Sequence, residues 1–322
     1  MIKRITIKLL LLANIVGLFS LLMFGCQRGE QSSAASPTVA FVMKTLNNPY
    51  FIDMQRGAQE TADKYGINLL VQAAEREVDV EKQMQIIENL IQRKIDILCV
   101  SPSGSKEIIP AIVKANQANI PVIIVDTRVD VKALEESGGK ITGFIGSDNV
   151  DGGRIAGRFI IERLGGTGRV AVLEGIPGHE TGDARLKGFH EALADQPGIT
   201  LVSTQTANWE RDQGYNVFQN ILQSHSDIQA LFACNDMMAL GAVEAIAAMG
   251  KTDKIIVVGF DAIADARQAI TEGLMSASIA QHPYEMGKVA LEKAWELLQG
   301  KSVPSEIPVK IELITAESIT NN

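Results

Sequence analysis

Asp126, Asn235, Asp261 and Gln281 each stand directly after a short apolar run, and each carries two polar atoms side by side in one plane. Such groups can engage two neighbouring hydroxyls at once. Arg185 follows another apolar run through a glycine-containing loop, and Lys44 directly follows Val39–Met43. Tyr50, Phe51 and Trp209 fall in the same class of segment. Only 5% of the chain is aromatic, so three rings among these loops are informative. Planar hydrogen-bonding groups beside aromatic faces, which suit the C–H patch of a sugar ring, point to carbohydrate recognition.

Each residue also has a plainer reading. Asn47 or Asn48 could cap a helix whose first turn holds Pro49. Asp261 could cap a helix starting at Ala262, and Asp148 or Asn149 suits a cap better than a ligand. Asp126 could be a turn aspartate, Trp209 a half-exposed loop residue and Lys44 a solvated cation. Met237 and Met238 fit a helix core. It is the shared location of the set that favours a site.

The elements that would position them are legible. From Thr38 onward, ten apolar runs rich in Val and Ile alternate with longer segments of helical period. The runs are Val39–Met43, Asn68–Val71, Ile95–Val100, Val122–Val125, Thr142–Ile145, Val170–Leu173, Ile199–Ser203, Ala230–Ala233, Ile255–Phe260 and Ser276–Ala280. Helical segments include Pro49–Tyr65, Val80–Arg93, Asn149–Leu164, Asp212–Gln223, Met237–Met249 and Tyr284–Gln299. This alternation specifies α/β architecture with parallel sheets covered on both faces. Ligands of such sheets bind beyond the carboxyl ends of the strands, where the polar set falls. Ten strands exceed one comfortable sheet, so two Rossmann-like lobes are expected. The first spans residues 38–147 plus 282–309 and the second 148–281 plus 310–322.

The formal charge is −8, and Lys3, Arg4 and Lys8 contribute +3 of it, leaving −11 for everything after residue 26. An acidic chain of this kind has no footprint for nucleic acid. Those three cations precede an apolar run, Leu9–Gly25, that ends at Cys26. Residues 1–26 read as an export segment and 27–37 as a polar spacer. Met23–Cys26 resembles a bacterial lipobox with Cys26 as the lipidated residue, although Met23 and Phe24 depart from its usual residues. An uncleaved anchor is the alternative, and both readings place the remainder outside the cytoplasmic membrane. Cys99 and Cys234 lie inside apolar runs and read as buried free thiols. The cysteines and the four histidines show no metal-ligand spacing, so no metal or cofactor is expected.

Enzyme readings find less support. Gly165-Gly166-Thr167-Gly168 precedes a strand rather than a helix and lacks the geometry of a phosphate cradle. There is no nucleophile elbow. No sequence feature pairs two carboxylates, though a glycosidase pairing through space stays open.

With these residues in view, the chain resembles the ribose-binding branch of the periplasmic sugar-binding proteins. The likeness rests on Thr45-Leu46-Asn47-Asn48-Pro49-Tyr50-Phe51, Ala118–Ile123, Ser147–Gly153, Asn235–Ala242, Val257–Asp261 and Ile279-Ala280-Gln281, and it runs from about Thr38 to Ile314. It implies two lobes joined by a three-strand hinge, near Asp148, Gln281–His282 and Val309–Lys310. It further implies a monomer that encloses a monosaccharide and delivers it to an ABC permease, or presents it to a chemoreceptor or histidine kinase. The family's sugar contacts fall on Asn48, Tyr50, Phe51, Asp126, Arg185, Trp209, Asn235, Asp261 and Gln281. Lys44 stands where a small hydroxyl residue is usual. Thr127 takes the place of an arginine, with Arg128 one position later, and Trp209 replaces a phenylalanine. Both Lys44 and Arg128 are therefore counted with the candidate site. These departures change which hydroxyls can be satisfied, so a ketose such as fructose, or another pentose or hexose, fits as well as ribose.

Overall fold

The computed structural model describes residues 36–252 and 254–320. The export segment, Cys26 and the spacer up to residue 35 lie outside the described residues.

Strand and helix alternate along the chain. In order they are β1 (Thr38–Thr45), α1 (Pro49–Tyr65), β2 (Asn68–Ala74), α2 (Val80–Gln92), β3 (Ile97–Val100), α3 (Ile109–Gln117), β4 (Val122–Val125), α4 (Val131–Glu136) and β5 (Gly143–Gly146). Then come α5 (Asn149–Arg163), β6 (Gly168–Glu174), α6 (Glu180–Leu193), β7 (Ile199–Thr206), α7 (Arg211–Ser224), β8 (Ala230–Ala233) and α8 (Asp236–Ala248). The chain closes with β9 (Ile256–Asp261), α9 (Ala264–Thr271), β10 (Ala277–Ala280), α10 (Pro283–Leu298), β11 (Glu306–Pro308), β12 (Glu312–Ile314) and α11 (Ala316–Thr320).

The strands form two six-stranded sheets, ordered β11-β5-β4-β3-β1-β2 and β12-β10-β9-β8-β6-β7. Every pairing is parallel except β10 with β12, which is antiparallel. The chain passes between the sheets three times: from β5 into α5, from β10 through Gln281 and His282 into α10, and from β11 to β12. Both short strands escape sequence reading because three residues carry no period.

Successive β1 side chains feed opposite faces of the first sheet. Val39, Phe41 and Met43 join one cluster with Met54, Ala58 and Ala290, while Ala40 and Val42 join another with Ile87, Leu90 and Ile112. A strand buried on both faces reads as a continuous apolar run, and a helix on each side is what the parallel crossovers supply. Each large apolar side chain fully withdrawn from water contributes about 1.5–3 kcal/mol, so the sheets form rigid supports for their carboxyl-end loops. Among the described residues, no helix is long and apolar enough to cross a membrane.

Candidate functional site

Loops from the carboxyl ends of the two sheets face each other across one small cavity. The first sheet and its helices contribute Lys44, Asn48, Tyr50, Phe51, Glu77 and Asp126. The second contributes Thr181, Arg185, Trp209, Asn235, Asp261 and Gln281.

Local structure accounts for each placement. Asn48 is the N-cap of α1, its Oδ1 accepting from the Tyr50 N–H at 3.0 Å, and Pro49 fits the first turn. That cap holds Tyr50 and Phe51 at the cavity wall. Asp126 follows β4 with φ of 70°, and its N–H donates to the Ile145 carbonyl at 2.8 Å. Asn235 caps α8 by accepting from the Met238 N–H, while its Nδ2 donates to the Trp209 carbonyl at 3.0 Å. The Trp209 indole lies against Gly175, where a Cβ would fall inside the ring. Arg185 is placed by the tight packing of α5 on α6: a Cβ at Gly153 or Gly188 would collide with the facing backbone.

Two charged centres result. On the first-lobe wall, the Asp126 carboxylate takes the Tyr50 hydroxyl at 2.8 Å, the Thr127 hydroxyl at 3.0 Å, the Ser101 hydroxyl at 3.2 Å and the Lys44 ammonium at 3.1 Å. Burial pushes this carboxyl up, but Lys44, Arg185 and the hydrogen bonds outweigh it and hold it below the usual carboxylate range. Glu77 sits 3.7 Å from the Lys44 ammonium and accepts from Asn48 Nδ2 at 3.2 Å. Burial dominates there and raises the Glu77 carboxyl. Burial, reinforced by Asp126 and Asp261, lifts the Tyr50 phenol well above 10, so it stays a neutral donor.

On the second-lobe wall, Asp261 accepts from Gln281 Nε2 at 2.6 Å and lies 3.8 Å from the Arg185 guanidinium. Arg185 also donates to the Asn149 side chain at 2.9 Å and to the Cys234 carbonyl, with its guanidinium 3.7 Å from the Phe260 ring centroid. Burial raises Asp261 well above the carboxylate range, Arg185 offsets part of that, and neighbouring Asp236 adds to it. Trp209 Nε1 and Gln281 Oε1 are buried without a hydrogen-bond partner among the described residues, one a donor and the other an acceptor. The lobes touch at the rim, where Thr127 meets Thr181 at 2.9 Å and the Glu180 N–H donates to Ser105 Oγ at 3.0 Å.

Ten of the eleven candidate ligand contacts therefore share this cavity: Lys44, Asn48, Tyr50, Phe51, Asp126, Arg185, Trp209, Asn235, Asp261 and Gln281. Arg128 does not. Its guanidinium binds Glu306 of β11 with two hydrogen bonds, at 2.6 and 2.8 Å, and covers the Phe144 ring at 3.9 Å. One position beyond Thr127, the loop has turned its side chain toward the β5–β11 edge, and this corrects its inclusion. Three plainer readings also change. Asp261 caps no helix, because Ile263 takes the N-cap position of α9. Trp209 is 5% exposed and Lys44 3% exposed, so neither is a solvated surface residue. Asp148 is the N-cap of α5, Met238 is buried, and Cys99 and Cys234 are buried free thiols. Burial pushes both thiols up to about 12 and leaves them inert.

Glu77 and Thr181 were missed. The second apolar run ends at Val71 in the sequence, whereas β2 continues to Ala74, which brings Glu77 into the strand-end loop. Thr181 opens α6 after the glycine-containing loop, where no periodicity marks it.

Known proteins of this shape share the architecture. The periplasmic binding protein domain family matches residues 39–302. The chain is 38% identical over 286 residues to the ribose import binding protein of Escherichia coli, covering 89% of this chain and 93% of that protein. It is 40% identical over 277 residues to the ribose import binding protein of Bacillus subtilis, covering 85% and 87%. A crystal structure of an ABC transporter periplasmic solute binding protein from Actinobacillus succinogenes with bound D-allose superposes with a TM-score of 0.85 at 40% identity, covering 89% of this chain and all of that one.

Proposed function

The chain belongs to the periplasmic binding protein family, and from that premise we propose that it is an extracytoplasmic receptor that closes two lobes around one monosaccharide and delivers it to an ABC permease. The observation that carries this reading is the meeting, in one small cavity, of two cations, carboxylates, amides and aromatic faces drawn from both sheets. Lys44, Asn48, Tyr50, Phe51 and Asp126 grip the sugar from one side, and Arg185, Trp209, Asn235, Asp261 and Gln281 from the other. Relatives named for ribose and for D-allose support an aldose ligand. In their pyranose forms these two sugars differ by one hydroxymethyl group, so one site can accommodate the shared ring.

Capture works by solvent exclusion. When the lobes meet, hydroxyls that were bonded to water pass to fixed charged and amide partners, whose bonds strengthen as water leaves. A ligand that leaves one of those partners unpaired loses about 1–3 kcal/mol, which is the source of selectivity. Micromolar binding needs roughly −8 kcal/mol, within reach of several charge-assisted hydrogen bonds and one covered ring. None of these contacts breaks a covalent bond, so the reading is capture without chemistry. The export segment and Cys26 extend the proposal to a protein, monomeric in this reading, held by a lipid at the outer face of the cytoplasmic membrane.

A panel of D-ribose, D-allose and D-fructose tests this by thermal shift and tryptophan fluorescence. At a hundredfold excess over Kd, the binding sugar adds about 2.7 kcal/mol of apparent stability and raises the melting temperature by several degrees. The fluorescence response disappears in Trp209→Phe and persists in Trp295→Phe, whose indole stacks on Tyr65 at 5.4 Å. No shift with any of the three or with other monosaccharides overturns the reading.

A further inference from the structure

Asp236, the first residue of α8, lies behind the cavity rather than in its wall and is completely buried. One of its oxygens accepts from the Ser278 hydroxyl at 2.7 Å, and the other accepts from the Ile263 N–H at 2.9 Å. Ser278 Oγ in turn accepts from the Ala262 N–H at 2.9 Å. The network therefore holds two successive N–H groups of the turn that follows Asp261. That turn is strained: Asp261 has φ of 115° and Ala262 φ of 51°, conformations that L residues rarely adopt. Gly259 leaves the room the network needs, since a Cβ there would collide with Asp236 Oδ1. The strained turn sets the Asp261 carboxylate between Gln281 and Arg185 at the cavity wall.

We propose that Asp236 is a positioning residue for sugar capture, holding the Asp261–Ile263 turn in its strained form and setting the charge that Asp261 presents to the ligand. This rests on the reading of the cavity as a sugar site. Asp236 and Asp261 face one nearby cation, Arg185, and across the gap lie Asp126 and Tyr50. The other cation at the turn, Arg267 of α9, donates to the Ala262 carbonyl at 2.9 Å. Two buried carboxylates in the field of one guanidinium, which pairs with Asp261, do not both ionise readily, and burial raises both, Asp236 to about 7. Sugar hydroxyls donating to Asp261 favour its ionised form, so binding releases a proton. Affinity then rises with pH until the pair is fully ionised.

The test is calorimetric titration of the full chain with D-allose and D-ribose between about pH 6 and pH 8, comparing wild type, Asp236→Asn and Ser278→Ala. Wild-type affinity rises about tenfold across that range, the limit for one proton released near its pKa. Asp236→Asn binds about tenfold more weakly at the upper pH and has a shallower slope, because Asp261 stays buried but no longer faces a second carboxylate. Ser278→Ala weakens binding about threefold and keeps the slope. A wild type that binds neither sugar overturns the sugar reading and this inference with it. A binding wild type whose Asp236→Asn variant keeps the slope, at any affinity, overturns the inference alone. Should Asp236→Asn fail to fold, Ser278→Ala decides, and unchanged affinity in that variant overturns the proposal.

Discussion

Asp126 and Asp261 occupy matching places in the two lobes: each stands at the carboxyl end of a parallel strand, has a positive φ, and lines the same cavity. Their electrostatics are opposite. Asp126 is held below the usual carboxylate range by Lys44, Arg185 and hydrogen bonds that overcome its burial. Asp261 is raised because burial and Asp236 outweigh a guanidinium 3.8 Å away. Fold position decides that a carboxylate stands at the cavity, while the neighbours decide what charge it carries there. The first lobe offers a permanently ionised anchor, and the second a carboxyl whose charge the ligand completes.

Replacing the anchor breaks this contrast with the largest effect. Asp126→Asn leaves the buried Lys44 ammonium with Glu77 at 3.7 Å, and one-sided loss of a buried pair costs about 3–5 kcal/mol. The ligand-free melting temperature falls by several degrees, and sugar affinity falls at least tenfold by calorimetry. The sign of the pH effect follows from the lowered carboxyl. Its folded pKa lies below the usual 3.8, so its stabilisation is fully present above about pH 4 and is lost as the pH falls through the folded value. Wild type therefore loses stability below about pH 4, and the variant lacks that component.

Asp261→Asn sharpens the comparison by moving stability the other way. A carboxyl raised on folding destabilises the native state progressively as the pH climbs from its unfolded value toward its folded one. Neutralising it leaves the melting temperature at pH 7 unchanged or higher, while affinity still falls about tenfold because the ligand loses an ionised acceptor. A melting temperature lowered as far as that of Asp126→Asn would show that the two walls are alike.

How far the site could be read from sequence follows the same geometry. Continuous apolar runs located ten strands, and the residue just after a run was enough to find Asp126, Asn235, Asp261 and Gln281, because parallel sheets send all their carboxyl ends one way. Arg128 escaped that rule, since a loop's direction after its first residue depends on tertiary partners, here Glu306 and Phe144. Glu77 escaped because Gln72 interrupts the apolar pattern of β2 before its true end. Asp236 read only as part of a family motif, and its role depends on Ser278 and Ile263, which are distant in sequence.

Arg128→Ala is the smallest expected change and the control for the whole comparison. The Arg128–Glu306 pair is partly exposed, with side chains 38% and 59% accessible, and such pairs are worth about 0.2–1 kcal/mol. Sugar affinity stays within about threefold of wild type by calorimetry. A tenfold loss would return Arg128 to the site.

The central claim is that one sugar is held between Asp126 and Asp261. A crystal structure of the chain grown with whichever of D-ribose and D-allose raises its melting temperature more is the most direct test. The account predicts the sugar ring in the cavity with hydroxyls bonded to both carboxylates and Trp209 against its face. A sugar bound elsewhere, or held by one lobe alone in the closed form, would contradict it.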